Sequence, residues 1–134
     1  MLPGVRWLFV YGTLMPGRLR WGLVADDVRA RREATVPGTL YDTGRGYPAV
    51  VLGAADRSGA DGPDPGVRVH GWVLGFDDAE AGAILDRLDA VEGPDYRRVD
   101  VVTVDGTPCV TYEWIGAPDG FTALAGRWES EDER

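Results

Sequence analysis

The stretch DDAEAGAILDRLDAVEG (residues 77–93) carries a strong helix pattern in a chain whose other apolar segments read as strands. Apolar residues recur in it at three- and four-residue spacing. Asp77 and Glu80 stand at a capping-box spacing, and Gly93 supplies a stop. Trp7 to Tyr11 is a short continuous apolar run, as in a central strand. A helical turn or two is expected around Arg20 to Val28. ATVPGTLYDTG (34–44) reads as a strand with a bend or bulge at Pro37-Gly38, and YPAVVLG (47–53) as a strand with Pro48 at an edge or in first position. VRVHGWVLGF (67–76) alternates in its first half, and YRRVDVVTVDGTPCVTYEWIG (96–116) reads as a hairpin turning at Asp105-Gly106. One helix among strands, with no βαβ rhythm, predicts an α+β domain on a small mixed sheet or barrel.

Length and charge narrow the function. At 134 residues the chain is one domain by size, with a core large enough to stand without staples. We expect a single domain over residues 1–126 and an acidic tail over 127–134. Residues 53–66 (GAADRSGADGPDPG) are turn chemistry with few hydrophobes, and predict a mobile surface loop rather than a linker. The net charge of −8 argues against nucleic acid, whose phosphates require a basic footprint. It also gives no inward steering to an anionic substrate, so a bound carboxylate must be held by local donors. The single cysteine, Cys109, excludes an internal disulfide framework and suits a reducing cytoplasm. No apolar run is long enough to span a bilayer, and no signal-peptide pattern opens the chain, so a cytoplasmic location is expected.

Several chemistries can be set aside. His70, the one histidine, lies in a strand pattern without a carboxylate cluster of metal-ligand spacing, and reads as structural. Cys109 lies in the final hairpin with no histidine near it in sequence, and reads as a buried thiol. No metal and no cofactor is expected. A carboxylate remains. On a helical wheel at ~100° per residue, Ala81, Ile84, Leu85 and Leu88 share one stripe. Glu92 joins that stripe if the helix runs so far, whereas Asp86 and Asp89 fall toward the other side. A glutamate on an apolar stripe, at the negative end of the helix dipole, should have a raised pKa, as a general base and acid near neutral pH requires. The alternatives are that the helix frays by Val91 and leaves Glu92 solvated, or that Glu92 pairs with Arg97 or Arg98.

The stretch FVYGTLMPG (9–17) ends the first strand in an open backbone. Gly12 is either a tight-turn residue or a place where the backbone meets a ligand, with successive N–H groups aimed at an anion. The Tyr11 ring either forms a wall of such a site or packs in the core.

Taken together, FVYGTLMPG, GTLYDTGRGYPAVV, HGWVLGF and LDAVEGPDYRR, in this order, resemble the γ-glutamylcyclotransferase-like proteins, which include the plant AIG2-like proteins and the γ-glutamylamine cyclotransferases. The resemblance covers roughly residues 7 to 115. It implies a small mixed β-barrel with flanking helices. It also implies cleavage of a γ-glutamyl amide to 5-oxoproline and a free amine, without a cofactor. By position, Tyr11, Gly12, Thr13 and Leu14 would bind the glutamyl group, chiefly through main-chain N–H groups. Glu92 would be the catalytic acid/base, and Tyr96 and Tyr112 would line the pocket. The implied partner is a small γ-glutamyl molecule, with neither nucleic acid nor membrane. Rival readings are a cyclotransferase dedicated to a γ-glutamylated secondary-metabolite intermediate, and a non-catalytic module that binds a small acid.

Overall fold

The computed structural model describes residues 5–18, 20–45, 47–52, 68–116 and 120–124. The expected loop at 53–66 and the acidic tail at 127–134 lie outside these residues. A five-stranded sheet is built from β1 (Val5–Val10), β2 (Val28–Pro37), β5 (Arg68–Asp77), β6 (Tyr96–Val102) and β7 (Pro108–Trp114), in the order β2-β5-β1-β7-β6. The central strand β1 is antiparallel to β5 and parallel to β7, so the sheet is mixed. Its continuous apolar run follows from that position, since both of its faces are covered and Leu8, Phe9 and Val10 are buried. A second sheet of three strands, β4-β3-β8, uses β3 (Thr39–Asp42), β4 (Pro48–Val51) and β8 (Thr122–Ala123).

Pro37-Gly38 is the corner between the two sheets. β2 ends at Pro37, Gly38 takes φ +151°, and β3 begins at Thr39 in the other sheet. Pro48 is the first residue of β4, where its missing N–H removes no ladder bond from the strand interior. The hairpin at Asp105-Gly106 forms as expected, with Gly106 at φ +93°.

The expected barrel does not close. Among the described residues there are two separate sheets, one α-helix and two short 3₁₀ turns at Trp21–Leu23 and Ala25–Asp27, rather than a barrel with flanking helices. The turn between β6 and β7 nevertheless reaches back to β2, where the Val104 N–H donates to the Thr35 carbonyl at 2.8 Å. Arg32 of β2 adds contacts to Asp105 and Thr107 in the same turn. Side chains and one main-chain bond hold the curled sheet where a ladder would have closed it.

The helix α1 spans Asp78–Glu92. Asp77 caps it, accepting from the Ala79 N–H at 3.0 Å. Glu80 does not complete a reciprocal capping box; its carboxylate pairs with Arg29 at 3.3 Å. Ala81, Ile84, Leu85 and Leu88 are buried, as the wheel predicts. Burying each of the three larger side chains contributes roughly 1.5–3 kcal/mol. Gly93, at φ +80°, stops the helix, and its N–H donates to the Asp89 carbonyl at 3.0 Å. The helix therefore reaches Glu92 before it ends.

Candidate active site

Past Val10 the first strand gives way to a turn, closed by the Met15 N–H donating to the Gly12 carbonyl at 3.0 Å. That closing bond leaves the N–H groups of Thr13 and Leu14 outside the turn's own hydrogen bonding. The Thr13 carbonyl accepts from the Arg20 N–H at 2.7 Å, which folds the following segment back over the turn. Gly12 has no positive φ; its need for glycine is steric. A Cβ there would lie 2.6 Å from Pro48 Cγ, so the close approach is to the first residue of β4.

A cavity of about 190 Å³ opens beside this turn. All seven residues singled out in the sequence line it: Tyr11, Gly12, Thr13, Leu14, Glu92, Tyr96 and Tyr112. Four different elements bring them together, since the turn follows β1, Glu92 ends α1, Tyr96 begins β6 and Tyr112 lies in β7. The volume is below the ~300–1,000 Å³ of drug-sized pockets, and suits a small metabolite.

Glu92 is half-buried and lines the cavity. Loss of water raises its pKa, and the nearby Arg20 guanidinium partly offsets this. It pairs with neither candidate partner. Arg97 goes to Glu113 at 3.0 Å, and Arg98 to Asp89 at 3.6 Å.

The tyrosines are held by their own hydroxyl groups. Tyr11 donates to the Tyr112 carbonyl at 2.6 Å, Tyr96 to the Pro48 carbonyl at 2.6 Å, and Tyr112 to Asp89 Oδ1 at 2.6 Å. Burial pushes the pKa of all three upward, and the Glu92 charge pushes each further. They are neutral, fixed walls. The Tyr11 ring serves both readings proposed for it, since it belongs to the buried core and also faces the cavity.

Sequence reasoning missed Arg20, Tyr47 and Pro48, which also line the cavity. Arg20 was read only as the start of a helical segment, and no short-range pattern marks it. Asp89 was placed off the apolar stripe and is exposed, yet its carboxylate reaches the cavity wall through Tyr112. His70 is half-buried with its Nδ1 3.2 Å from Thr35 Oγ1, as a structural histidine would be. Cys109 is buried, which pushes its thiol up to about 12.

Comparison with known proteins places the chain. The family model for γ-glutamyl cyclotransferase, AIG2-like, matches residues 8–130, and the chain belongs to that family. Protein AIG2 C of Arabidopsis thaliana is 32% identical over 139 residues, covering 95% of this chain and 71% of that protein. The γ-L-glutamyl-butirosin B γ-glutamyl cyclotransferase of Niallia circulans is 42% identical over 45 residues, covering 34% of this chain and 29% of that enzyme. The crystal structure of an AIG2-like protein from Mus musculus superposes with a TM-score of 0.68 at 20% identity, covering 97% of this chain and 99% of that one. No helix among the described residues is long and apolar enough to cross a membrane.

Proposed function

We propose that this chain cleaves a γ-glutamyl amide by attack of the substrate's own α-amine on its δ-carbonyl, releasing 5-oxoproline and a free amine. The observation that carries this reading is a half-buried Glu92 that forms no salt bridge with any described residue, in one small cavity with a turn that presents main-chain N–H groups. Closure of a five-membered ring gains heavily from proximity once the substrate is held folded. Glu92 takes a proton from the α-ammonium, and the amine lone pair forms the new bond to the δ-carbon. The oxyanion of the tetrahedral intermediate is met by donors such as the N–H groups of Thr13 and Leu14. The δ-carbon–nitrogen bond then breaks. Across the reaction the α-amine sheds two protons and the departing nitrogen gains two, so the amine leaves as an ammonium ion. Glu92, restored to a carboxylate, is ready for another cycle. One carboxylate serves as base and then as acid.

A dedicated role on a γ-glutamylated secondary metabolite draws support from the short match to the butirosin enzyme. Incubation with a panel of γ-glutamyl amines and γ-glutamyl amino acids, with 5-oxoproline and the freed amine read by mass spectrometry, tests both. Release from many amines supports a general cyclotransferase, and release from a narrow set supports the dedicated one. Absence of 5-oxoproline from every compound, with tight binding of a small acid, would identify a binding module instead.

A further inference from the structure

Arg20 is the only lysine or arginine lining the cavity among the described residues, in a protein of net charge −8. Its backbone is pinned by its N–H to the Thr13 carbonyl at 2.7 Å and by its carbonyl to the Leu23 N–H at 3.0 Å. The side chain is half-buried and forms no salt bridge with any described residue, whereas Arg29, Arg32, Arg87, Arg97 and Arg98 each do. The hydroxyls of Tyr11, Tyr96 and Tyr112 are committed elsewhere, donating to protein oxygens. Any anion entering beside the Glu92 carboxylate is repelled by it, and neutral N–H groups alone offer weak compensation. A half-withdrawn guanidinium without an ion pair is shaped for a carboxylate, which it can grip through two parallel bonds.

We propose that Arg20 binds the substrate's free α-carboxylate and thereby selects γ-glutamyl compounds that carry one; this rests on the γ-glutamyl reading above. The consequence for Glu92 follows from charge. In the empty cavity Arg20 favours the ionised form of Glu92 against burial. Once a substrate carboxylate neutralises Arg20, that support weakens and Glu92 becomes a stronger base. The other groups that share its field, Tyr11 after β1, Tyr96 of β6 and Tyr112 of β7, stay neutral and do not change with binding. Substrate recognition and base strength are thus coupled through one side chain.

The test measures binding of 5-oxoproline and of its carboxamide to the unmodified protein, Arg20→Gln, Arg20→Lys and the exposed control Arg29→Gln. The unmodified protein and Arg29→Gln should prefer the acid by roughly 10–100-fold, the usual worth of a charge-assisted bond. Arg20→Gln should lose that preference while binding the amide as before, and Arg20→Lys should fall between. Where turnover is measurable, the acid limb of kcat/KM, which reports the free protein, should move to higher pH in Arg20→Gln, because Glu92 loses the guanidinium that favours its ionised form. A preference that survives in Arg20→Gln, or none in the unmodified protein, overturns the assignment. An Arg20-dependent preference without 5-oxoproline release from any γ-glutamyl amide would refute the turnover reading and leave the assignment standing.

Discussion

Glu113 in β7 and Glu92 at the end of α1 are both withdrawn from water, and their surroundings differ in kind. Glu113 is 2% exposed and fully engaged. Arg97 meets it through Nε at 3.3 Å and through a terminal nitrogen at 3.0 Å, and the Leu52 N–H donates to its other oxygen at 2.7 Å. Glu92 is less buried, but no described residue forms a salt bridge or hydrogen bond with its carboxylate. A buried charge with its partners in place is a structural device, here tying Leu52, just past β4, and Arg97 of β6 to β7. A half-buried charge without them keeps its free energy available for a ligand. Depth of burial therefore does not separate the two roles, and pairing does.

The comparison breaks most directly at Glu92. Glu92→Gln keeps the volume but cannot accept a proton, so 5-oxoproline formation should fall by roughly 10²–10⁴ on a confirmed substrate. Thermal unfolding should show unchanged or slightly higher stability, because a neutral amide is cheaper to withdraw from water. Near-normal turnover would mean that Glu92 is not the proton shuttle. Glu113→Ala should do the opposite, costing about 1–3 kcal/mol in chemical denaturation as the Leu52 N–H loses its acceptor. The half-exposed Arg97, with 54% of its side chain accessible, can return to water and limits that loss. If Glu113→Ala instead removed activity with no change in stability, the division of roles would be reversed.

Gly12 sharpens the contrast, since it belongs to the turn yet packs on β4. Gly12→Val should both weaken substrate binding and destabilise the fold by about 1–3 kcal/mol, the usual cost of overpacking, because its Cβ enters the Pro48 ring. That displacement also moves the carbonyl that holds Tyr96. Binding loss at full stability, seen by comparing a titration with a melt, would return Gly12 to a purely ligand-facing role.

Acid titration gives a smaller signal. Burial raises the folded-state pKa of Glu92, so its contribution to stability is fully present below the ordinary glutamate value and is lost as pH rises through the raised one. Activity runs the other way: kcat/KM should climb through that same raised pKa as the base ionises, and a climb completed in the ordinary carboxylate range would contradict it. The least effect is expected at Asp86→Asn, on the exposed face of α1. Asp89→Asn is no matching control, because Asp89 accepts from Tyr112 and faces Arg98. Its turnover should shift measurably while that of Asp86→Asn stays within error.

What the sequence by itself determined is local. The 3.6-residue period marked the buried stripe of α1, Asp77 and Gly93 bounded it, and Pro37-Gly38 and Asp105-Gly106 marked a bend and a hairpin, because these depend on neighbours a few residues away. That the bend at Pro37-Gly38 carries the chain into a second sheet was not in the pattern. The seven cavity residues were named from motif order, but the motif could not say that they would meet. Only the tertiary structure decided which arginine answers which carboxylate. Arg97 and Arg98 follow Glu92 closely in sequence, yet strand pairing places Arg97 opposite Glu113, and Arg98 turns to Asp89. Arg20, distant in sequence, is folded over the turn and into the cavity by a hydrogen bond to Thr13. Closure of the sheet was likewise decided at long range, where one bond from Val104 to Thr35 stands in place of a ladder. Charge pairing and sheet closure depend on distances in space, and a one-dimensional pattern carries only distances along the chain.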